Sequence, residues 1–351
     1  MTERIPVAIL GASGYVGQHL VRLLADHPQF EVARMVGGER SDGSLLAKLW
    51  RLPEPLPRSV DRVRLAPRTP RQLAREGVRA AFSALPSGRA GPVERKLLGS
   101  GISVFTNAAD QRDSPDATLM IPEVNPAELR GRGRKGRPVL VANPNCTATG
   151  LALALAPVWR LLAPSAVHVA TYQALSGAGF AGVSSLASTD NVVPFISGEE
   201  EKVERETNRL LAPFRTRSGR EGPTPILAQC ARVGVRDGHL EAVTVVARGR
   251  PTLSELRTAW SEFDPLRGRD LPSAPSPPVI VRDEPDRPQP ILDRGAGEPP
   301  AAAGMAVVIG RLRWTPPYLR CFVLSHNAIR GAAGGALLNA EFARAEGYLD
   351  P

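Results

Sequence analysis

The sequence predicts an α/β protein with a doubly wound parallel sheet in its N-terminal part and a second part of α+β type. Two observations lead to this prediction. Short apolar runs alternate with helical patterns over residues 5–145, and the first run enters a helix through the glycine turn GASGYVG. After residue 146 the strands become longer, and a charged helix separates them. A length of 351 residues is sufficient for two domains.

The N-terminal elements follow from apolar runs that end in turn residues. IPVAIL (5–10) is predicted to be a buried strand, GASGYVG (11–17) a turn, and QHLVRLLADHP (18–28) a helix that Pro28 ends. Four further strands are expected, at residues 31–38, 78–88, 101–110 and 137–145. The Pro- and Arg-rich residues 51–76 allow no assignment.

The C-terminal elements begin with a predicted helix at residues 146–162. After it we expect a strand that runs into a glycine turn at 168–179, a charged helix at 196–211, and strands at 226–235 and 239–248. Residues 264–304 are dense in Pro, Gly and Asp and are predicted to form a long surface excursion. Residues 321–349 are predicted to form a strand, a turn and a closing helix.

Composition excludes several classes of protein. No apolar run approaches the roughly 18 residues needed to span a bilayer, and MTERIPVAIL enters a strand without a signal-peptide pattern. The three cysteines are widely spaced and form no CxxC, which argues against a disulfide framework and a metal site. We therefore expect a cytoplasmic protein with no membrane partner and no bound metal.

The positive charge does not predict a nucleic-acid partner. The net charge is +9, and all but four of the 44 basic residues are arginine. These arginines are scattered, with one cluster at 130–137, and aromatic residues make up only 5% of the chain. A nucleic-acid surface would combine a basic stripe with aromatic side chains, so a solvated arginine-rich surface is the preferred interpretation.

The glycine turn predicts a dinucleotide site. Gly11 permits a tight turn, Gly14 lets the backbone approach a pyrophosphate, and the following helix presents its N-terminus to that charge. The other predicted cofactor contacts in this turn are Ser13, Tyr15 and Val16. The second strand is followed by Glu39, Arg40 and Ser41, and a guanidinium beside a hydroxyl suits the 2′-phosphate of NADP.

Cys146 is the candidate nucleophile. In VANPNCTATG a strand ends near Asn145 and a helix begins near Cys146, which places the sulfur at a helix N-terminus and predicts a thiolate. Cys230 and Cys321 lie in strand-like runs and are predicted to be buried. The nucleophile needs a partner for proton transfer. His239, which the turn RDG is expected to project from a loop, and His326 are both candidates.

A set of motifs then resembles one known family. GASGYVGQ, NPNCTATG, YQALSGAG, GEEEK, RVGVRDGHLEAV and HNAIRGAAGGALLNAE occur in an order and at separations similar to those of aspartate-semialdehyde dehydrogenase, in its archaeal and fungal branch. The resemblance implies a Rossmann domain at 1–145 that is completed by 328–351. It also implies a catalytic and dimerisation domain at 146–327, in a homodimer or homotetramer.

The resemblance also assigns roles to residues. Cys146 resembles the nucleophile, His239 the acid/base catalyst and Gln173 the residue that orients the acyl group. Arg232 resembles the clamp for the substrate carboxylate. The other assigned residues are Glu199 and Lys202 for the substrate amine and phosphate, Asn107 and Arg112 for phosphate, and Ser176, Gly177 and Asn327 near the nicotinamide. The EEE run leaves open which of Glu199, Glu200 and Glu201 contacts substrate.

The implied reaction is the NADP-dependent reduction of L-aspartyl 4-phosphate to L-aspartate 4-semialdehyde, with release of inorganic phosphate, in lysine, threonine and methionine biosynthesis. Tyr15 is more typical of N-acetylglutamyl-phosphate reductase, a structural relative. Reduction of N-acetylglutamyl phosphate or malonyl-CoA therefore stays open as an alternative. A nucleotide-binding protein without catalytic activity is a more remote one.

Overall fold

The computed structural model contains two six-stranded sheets and describes residues 3–38, 41–132, 134–215 and 222–349. The predicted cofactor contact Arg40, with its neighbour Glu39, lies outside the described residues. No helix in these ranges is long and apolar enough to cross a membrane.

The first sheet is parallel throughout. Its strands follow the order β2-β1-β3-β4-β6-β5 and are β1 Ile5–Leu10, β2 Phe30–Val36, β3 Ala80–Ser83, β4 Ser103–Thr106, β5 Thr118–Leu119 and β6 Leu140–Ala142. Such a sheet is covered on both faces, and all four residues of β3 and of β4 are buried. The predicted doubly wound sheet is confirmed, whereas the two-residue β5 had no recognisable sequence signal.

Five helices accompany the first sheet: α1 Tyr15–Leu24, α2 Leu46–Leu49, α3 Pro70–Arg75, α4 Ala90–Leu98 and α5 Ala127–Arg132. The helix predicted at 18–28 therefore begins earlier, inside the glycine turn, and ends four residues before Pro28. Pro28 disfavours the helical conformation only at His27, so it limits the helix but does not fix its end at Leu24. The unassigned Pro- and Arg-rich segment contains only the short helices α2 and α3 and a 3-10 turn at Arg58–Val60.

The second sheet is mixed. Its order is β10-β11-β12-β9-β7-β8, from β7 Pro164–Gln173, β8 Ile226–Arg232, β9 His239–Ala247, β10 Val279–Val281, β11 Val307–Thr315 and β12 Tyr318–Ser325. β10 lies inside the predicted surface excursion 264–304, where Leu266, Leu271 and Ala302 are also buried. That prediction is wrong for these residues, because their apolar side chains pack into the cores despite the surrounding prolines and glycines.

The remaining helices are α6 Cys146–Leu155, α7 Trp159–Leu162, α8 Ser185–Ser188, α9 Glu199–Leu210, α10 Leu253–Ser261, α11 Pro290–Asp293 and α12 Gly334–Ala345. The helix predicted at 146–162 is divided, because Pro157 stands in a 3-10 turn between α6 and α7. A single π-helical turn at Ile329–Ala333 precedes α12.

Helices do not cover the two faces of the second sheet equally. α6 and α9 pack on one face, and β9 alternates strictly between buried and half-buried residues along its length. α12 returns to the first sheet, where Leu337, Leu338 and Phe342 join the core that contains Val7 and Ile9. The division of the chain at residue 145 stays a prediction.

Candidate active site

A cleft of about 310 Å³ brings most of the predicted site residues together. The residues around it come from α1, the ends of β4, β6 and β7, α9, and the turn after β12. The predicted residues among them are Tyr15, Val16, Asn107, Arg112, Cys146, Gln173, Ser176, Gly177, Glu199, Lys202, Arg232 and Asn327. The cleft therefore collects side chains from across the whole sequence.

Cys146 is the first residue of α6, as the sequence predicts. Asn145 caps this helix: its Oδ1 accepts hydrogen bonds from the N–H groups of Thr147 and Ala148, each at 3.0 Å. On the other side, a Cβ added to Gly331 would lie 2.4 Å from the Cβ of Cys146. The chain after β12 therefore approaches the nucleophile as closely as a glycine allows.

The predicted thiolate is wrong for the ligand-free protein. Burial and the Glu199 carboxylate raise the pKa of Cys146 to about 12, against the opposing effects of Arg112, Arg232 and the N–H of Thr147. Asn145 also occupies helix N–H groups that would otherwise stabilise an anion. Cys146 is therefore a thiol at neutral pH, half-buried at the cleft wall.

Three cationic side chains face the cleft. Arg112 donates to the carbonyl oxygens of Asn143 and Asn107, each at 3.1 Å, and pairs with Glu206 at 3.3 Å. Arg232 donates to the carbonyl oxygen of Ala174 at 2.7 Å. Lys202 has no ion-pair partner within 4 Å among the described residues. Together they make one wall of the cleft suitable for an anion.

Glu199 is the acidic residue that reaches the cleft. Its Oε1 accepts hydrogen bonds from Asn145 Nδ2 at 3.0 Å and Gln173 Nε2 at 3.1 Å. Glu200 instead accepts from the N–H of Cys230, and Glu201 is exposed outside the cleft. Of the three glutamates, Glu199 is therefore the one that lines the cleft, and its hydrogen bond from Gln173 fixes the side chain of Gln173.

His239 is not on a loop, contrary to the prediction. It is the first residue of β9 and is fully buried, because the turn before it is short and the strand begins at once. A Cβ on Gly177 would lie 3.4 Å from its Cε1 and 2.5 Å from Arg232 Nη1, so the imidazole lies directly behind the cleft wall.

The tautomer of His239 follows from its one hydrogen bond. Nδ1 accepts from the N–H of Ala174 at 3.1 Å, so the ring proton of the neutral imidazole is on Nε2. Nε2 has no protein partner in the described ranges. Burial and the charge of Arg232 lower the pKa of His239 to about 3, and the ring is neutral over the physiological range.

The other histidine candidate lies elsewhere. His326 packs at 6.3 Å from the ring of His19, and its Nδ1 accepts from the N–H of Ala328. It does not line the cleft. Of the two histidines left open by the sequence, His239 is the one beside the candidate nucleophile's cleft.

The glycine turn fits a dinucleotide phosphate. Gly11 has φ +76°, and a Cβ there would lie 2.7 Å from the carbonyl oxygen of Ala84. No side chain caps the N-terminus of α1, so its first N–H groups are available to a phosphate beside Ser13 and Gly14. Ser41 follows the end of β2 by five residues, and its Oγ donates to the carbonyl oxygen of Gly38.

Asn145, Glu206 and Glu241 support the cleft but are not among the predicted site residues. Asn145 and Glu206 hold the N-terminus of α6 and Arg112: Glu206 Oε2 accepts from the N–H of Asn145 at 2.7 Å. Glu241 is fully buried two residues after His239, and burial and Glu199 raise its pKa well above the ordinary value. Asn145 is a typical helix N-cap residue, whereas only the three-dimensional arrangement distinguishes Glu206 and Glu241 from ordinary helix and strand positions.

Comparison with known proteins agrees with this arrangement. Residues 6–132 match the family model "semialdehyde dehydrogenase, NAD binding domain", and residues 155–330 match "semialdehyde dehydrogenase, dimerisation domain". The chain is 42% identical to aspartate-semialdehyde dehydrogenase of Archaeoglobus fulgidus, over 96% of this chain and 97% of the relative.

One further relative and one solved structure are also similar to this chain over nearly its full length. The chain is 35% identical to malonyl CoA reductase (NADP) of Metallosphaera sedula, over 100% of this chain and 99% of the relative. The crystal structure of aspartate semialdehyde dehydrogenase with NADP from Candida albicans superposes with a TM-score of 0.83 at 32% identity, over 98% of this chain and 99% of that one. The chain therefore belongs to the aspartate-semialdehyde dehydrogenase family, as the sequence motifs predicted.

Proposed function

We propose that this protein reduces L-aspartyl 4-phosphate to L-aspartate 4-semialdehyde with NADPH and releases inorganic phosphate, in the branch of metabolism that leads to lysine, threonine and methionine. The observation that carries the proposal is the position of Cys146, in one cleft with Arg112, Lys202, Arg232 and Glu199. A nucleophile beside three cations and one carboxylate is suited to an acyl phosphate that also bears a carboxylate and an ammonium group.

Each charge of this substrate has a candidate partner. Arg232 binds the carboxylate, because a guanidinium donates two parallel hydrogen bonds. Arg112 and Lys202, with Asn107, bind the phosphate. Glu199 accepts from neutral donors only and has no cation within 4 Å among the described residues, so a substrate ammonium completes its environment.

The chemical step begins with the thiol of Cys146. Its sulfur attacks the acyl carbon, the C–S bond forms, and the C–O bond to phosphate breaks. The thiol proton passes to a phosphate oxygen as the C–S bond forms, because a thiol with a pKa of about 12 is not ionised at neutral pH and the sulfur must gain thiolate character to react. The product of this step is a thioester on Cys146.

His239 acts through Nε2. Since Nδ1 accepts from Ala174, the neutral ring can only donate, and its Nε2–H stabilises the negative charge that develops on the acyl oxygen. Gln173, held by Glu199, orients the acyl group. Of the two parts of the predicted acid/base role, this hydrogen-bond arrangement therefore supports the role of proton donor for His239.

NADP fits the turn at residues 11–17, with Ser41 and Arg40 as candidate contacts of the 2′-phosphate. Ser176, Gly177 and Asn327 are the candidate residues for its nicotinamide end. When bound, NADPH supplies the hydride that turns the acyl group into an aldehyde. Cys146 then takes up a proton and returns to the thiol that its raised pKa favours.

The reverse reaction tests this function. Purified protein should reduce NADP when L-aspartate 4-semialdehyde and inorganic phosphate are both present, because phosphate is the group that removes the acyl chain from Cys146. Omission of either compound should abolish NADPH formation, and NAD should support a lower rate. NADPH formation without phosphate would contradict the proposed reaction.

Malonyl-CoA is the second candidate substrate, because a malonyl CoA reductase is similar over the full chain. Malonyl-CoA lacks the ammonium that Glu199 would bind, and the acetylated amine of N-acetylglutamyl phosphate is uncharged. We therefore expect NADPH oxidation with malonyl-CoA to be slower by a factor of about 10² or more. Comparable rates with malonyl-CoA would favour the second candidate.

The family match includes a dimerisation domain, and the uncovered face of the second sheet is the candidate interface for a homodimer. Two apolar side chains on this face are exposed: Tyr172 on β7 at 42% and Leu227 on β8 at 49%. Leu227→Asp should shift the protein from dimer, or from a tetramer built of dimers, to monomer in sedimentation velocity. Leu292→Asp, at a similarly exposed site on α11, is the matched control that should leave the assembly unchanged.

We also propose a division of the chain into two domains and a cytoplasmic location. Residues 1–145 with 328–351 form the NADP-binding domain, and residues 146–327 the catalytic and dimerisation domain. The three free cysteines fit a reducing cytoplasm, where Cys146 stays a thiol.

A further inference from the structure

Tyr15 connects the predicted cofactor turn to the turn that leads to His239. It is the first residue of α1, and its hydroxyl group donates to Oδ1 of Asp237 at 2.5 Å. Asp237 is 5% exposed and lies between β8 and β9. This hydrogen bond joins positions 222 residues apart and links the first sheet to the second.

Asp237 is a charged acceptor in this contact. Burial raises its pKa, but hydrogen bonds from Tyr15, Ser176 and Arg236 bring the pKa below its ordinary value. Burial and Asp237 raise the pKa of Tyr15, so the phenol stays a donor. A hydrogen bond to an ionised acceptor is about twice as strong as a neutral one.

The turn held by Asp237 is the one that places His239. Next in the chain, the N–H of Gly238 donates to Oδ1 of Asn327 at 2.8 Å, and Asn327 Nδ2 donates to Ser176 Oγ at 2.8 Å. Gly238 has φ +100°, and a Cβ there would lie 3.2 Å from Pro290. Two side chains from the cofactor end of the cleft, Tyr15 and Asn327, therefore fix the backbone immediately before His239.

We propose that Tyr15 is a positioning residue: its hydrogen bond to Asp237 fixes the turn before β9 and thereby aims His239 at the reacting acyl group. This inference rests on the proposed function. It gives Tyr15 a role that a cofactor contact alone does not have, because the hydroxyl group acts on the catalytic histidine through the backbone of Asp237 and Gly238.

Tyr15→Phe tests the proposal, because it keeps the ring contacts with His19 and Phe180 at 5.0 Å and removes only the hydroxyl group. We expect kcat to fall about 10-fold, since a misplaced catalytic group lowers kcat. The KM values for semialdehyde and phosphate should change by less than about twofold, because Arg232, Arg112 and Lys202 do not move. Tyr348→Phe, at a buried tyrosine far from the cleft, is the matched control with unchanged kinetics.

A double-mutant cycle with Asp237→Ala adds a second test, because alanine removes the acceptor of the Tyr15 hydroxyl group. If that hydroxyl group acts through Asp237, Tyr15→Phe lowers kcat no further in the Asp237→Ala background; losses that multiply would contradict the proposal. The ¹⁵N signals of the His239 ring provide a readout without turnover. They should shift in Tyr15→Phe and stay unchanged in Tyr348→Phe.

The outcomes separate this inference from the proposed function. An unchanged kcat and unchanged His239 signals in Tyr15→Phe would overturn the positioning role. So would an effect confined to the dissociation constant for NADP, which would make Tyr15 a cofactor contact only. If the wild-type protein failed the phosphate-dependent assay, the proposed function would fail, and the His239 signals would still test the contact.

Discussion

The two sheets build their parts of the cleft in different ways. At its cofactor end the first sheet contributes mainly backbone, namely a glycine turn at the end of β1 and the uncapped N-terminus of α1, whereas Arg112 and Cys146 enter the cleft as side chains after β4 and β6. The second sheet contributes side chains, with Gln173, Arg232 and His239 at the ends of three adjacent strands. An added side-chain atom should therefore impair cofactor binding at the glycine turn, whereas the loss of a functional group should impair the reaction at the strand ends of the second sheet.

This difference teaches where substitution is tolerated. A phosphate bound by N–H groups needs space, and a Cβ closes that space whatever the residue. A carboxylate bound by a guanidinium needs a particular functional group. The following four substitutions test this contrast, in order of the expected effect.

Arg232→Leu should have the largest effect, because it leaves a substrate carboxylate unpaired beside the cleft. We expect kcat/KM to fall by about 10³-fold, mainly through a higher KM. Arg232→Lys keeps the charge without the two parallel donors and should recover only part of the loss. Steady-state kinetics with L-aspartate 4-semialdehyde measure both variants. An unchanged KM in Arg232→Leu would remove the carboxylate clamp from the scheme.

Gly331→Ala tests a steric contact at the chemical end. The added Cβ would lie 2.4 Å from the Cβ of Cys146, so the start of α6 or the π-helical turn must shift. A displacement of the nucleophile by about 1 Å lowers kcat by about 10²-fold. Gly131→Ala, in an open position on α5, is the matched control. Full activity in Gly331→Ala would show that this close approach is unimportant.

Gly17→Ala tests the backbone-built region. The Cβ would lie 2.1 Å from the carbonyl oxygen of Gly11, which forces the turn away from α1. We expect the dissociation constant for NADP to rise about 10-fold and the free energy of unfolding to fall by about 1–3 kcal/mol. Titration calorimetry and urea unfolding measure the two effects. A loss of stability with normal NADP affinity would argue against this turn as the phosphate site.

Glu241→Gln should have the smallest effect of the four substitutions, and it should raise the thermal stability of the protein. The pKa of Glu241 is raised in the folded protein, so folding takes up a proton once the pH exceeds the ordinary glutamate pKa of 4.5. Glutamine needs none, and the variant should melt about 2 °C or more above wild type at pH 8 and closer to it at pH 5. A difference that shrinks as the pH rises would contradict the buried neutral carboxyl group.

The sequence predicted the first sheet well, because its strands are buried runs between turn residues. The short strands β5 and β10 could not be predicted, since three residues or fewer carry no periodicity. β11 was not predicted, although Gly304 precedes it and Pro316 and Pro317 follow it. The short-range patterns also could not show that β7 lies between β8 and β9, which changes the neighbours of His239.

The sequence predicted several of the residues that line the cleft, but it did not predict the protonation state of Cys146. The family resemblance assigned roles to Cys146, Arg232 and one residue of the EEE run, and Cys146, Arg232 and Glu199 line one cleft. The protonation state of Cys146 was predicted incorrectly, because a helix N-terminus can be read from the sequence whereas the burial of the sulfur and the nearby Glu199 carboxylate cannot. The Tyr15–Asp237 contact joins distant turns and had no local signal.

The most direct test of the central claim is the phosphate-dependent reduction of NADP by wild type and by Cys146→Ala. The account predicts full dependence on inorganic phosphate in wild type, and a loss of at least about 10³-fold in Cys146→Ala with its thermal unfolding unchanged. A folded Cys146→Ala variant that keeps a tenth of the activity would contradict the account, because the thioester would then have no sulfur on which to form.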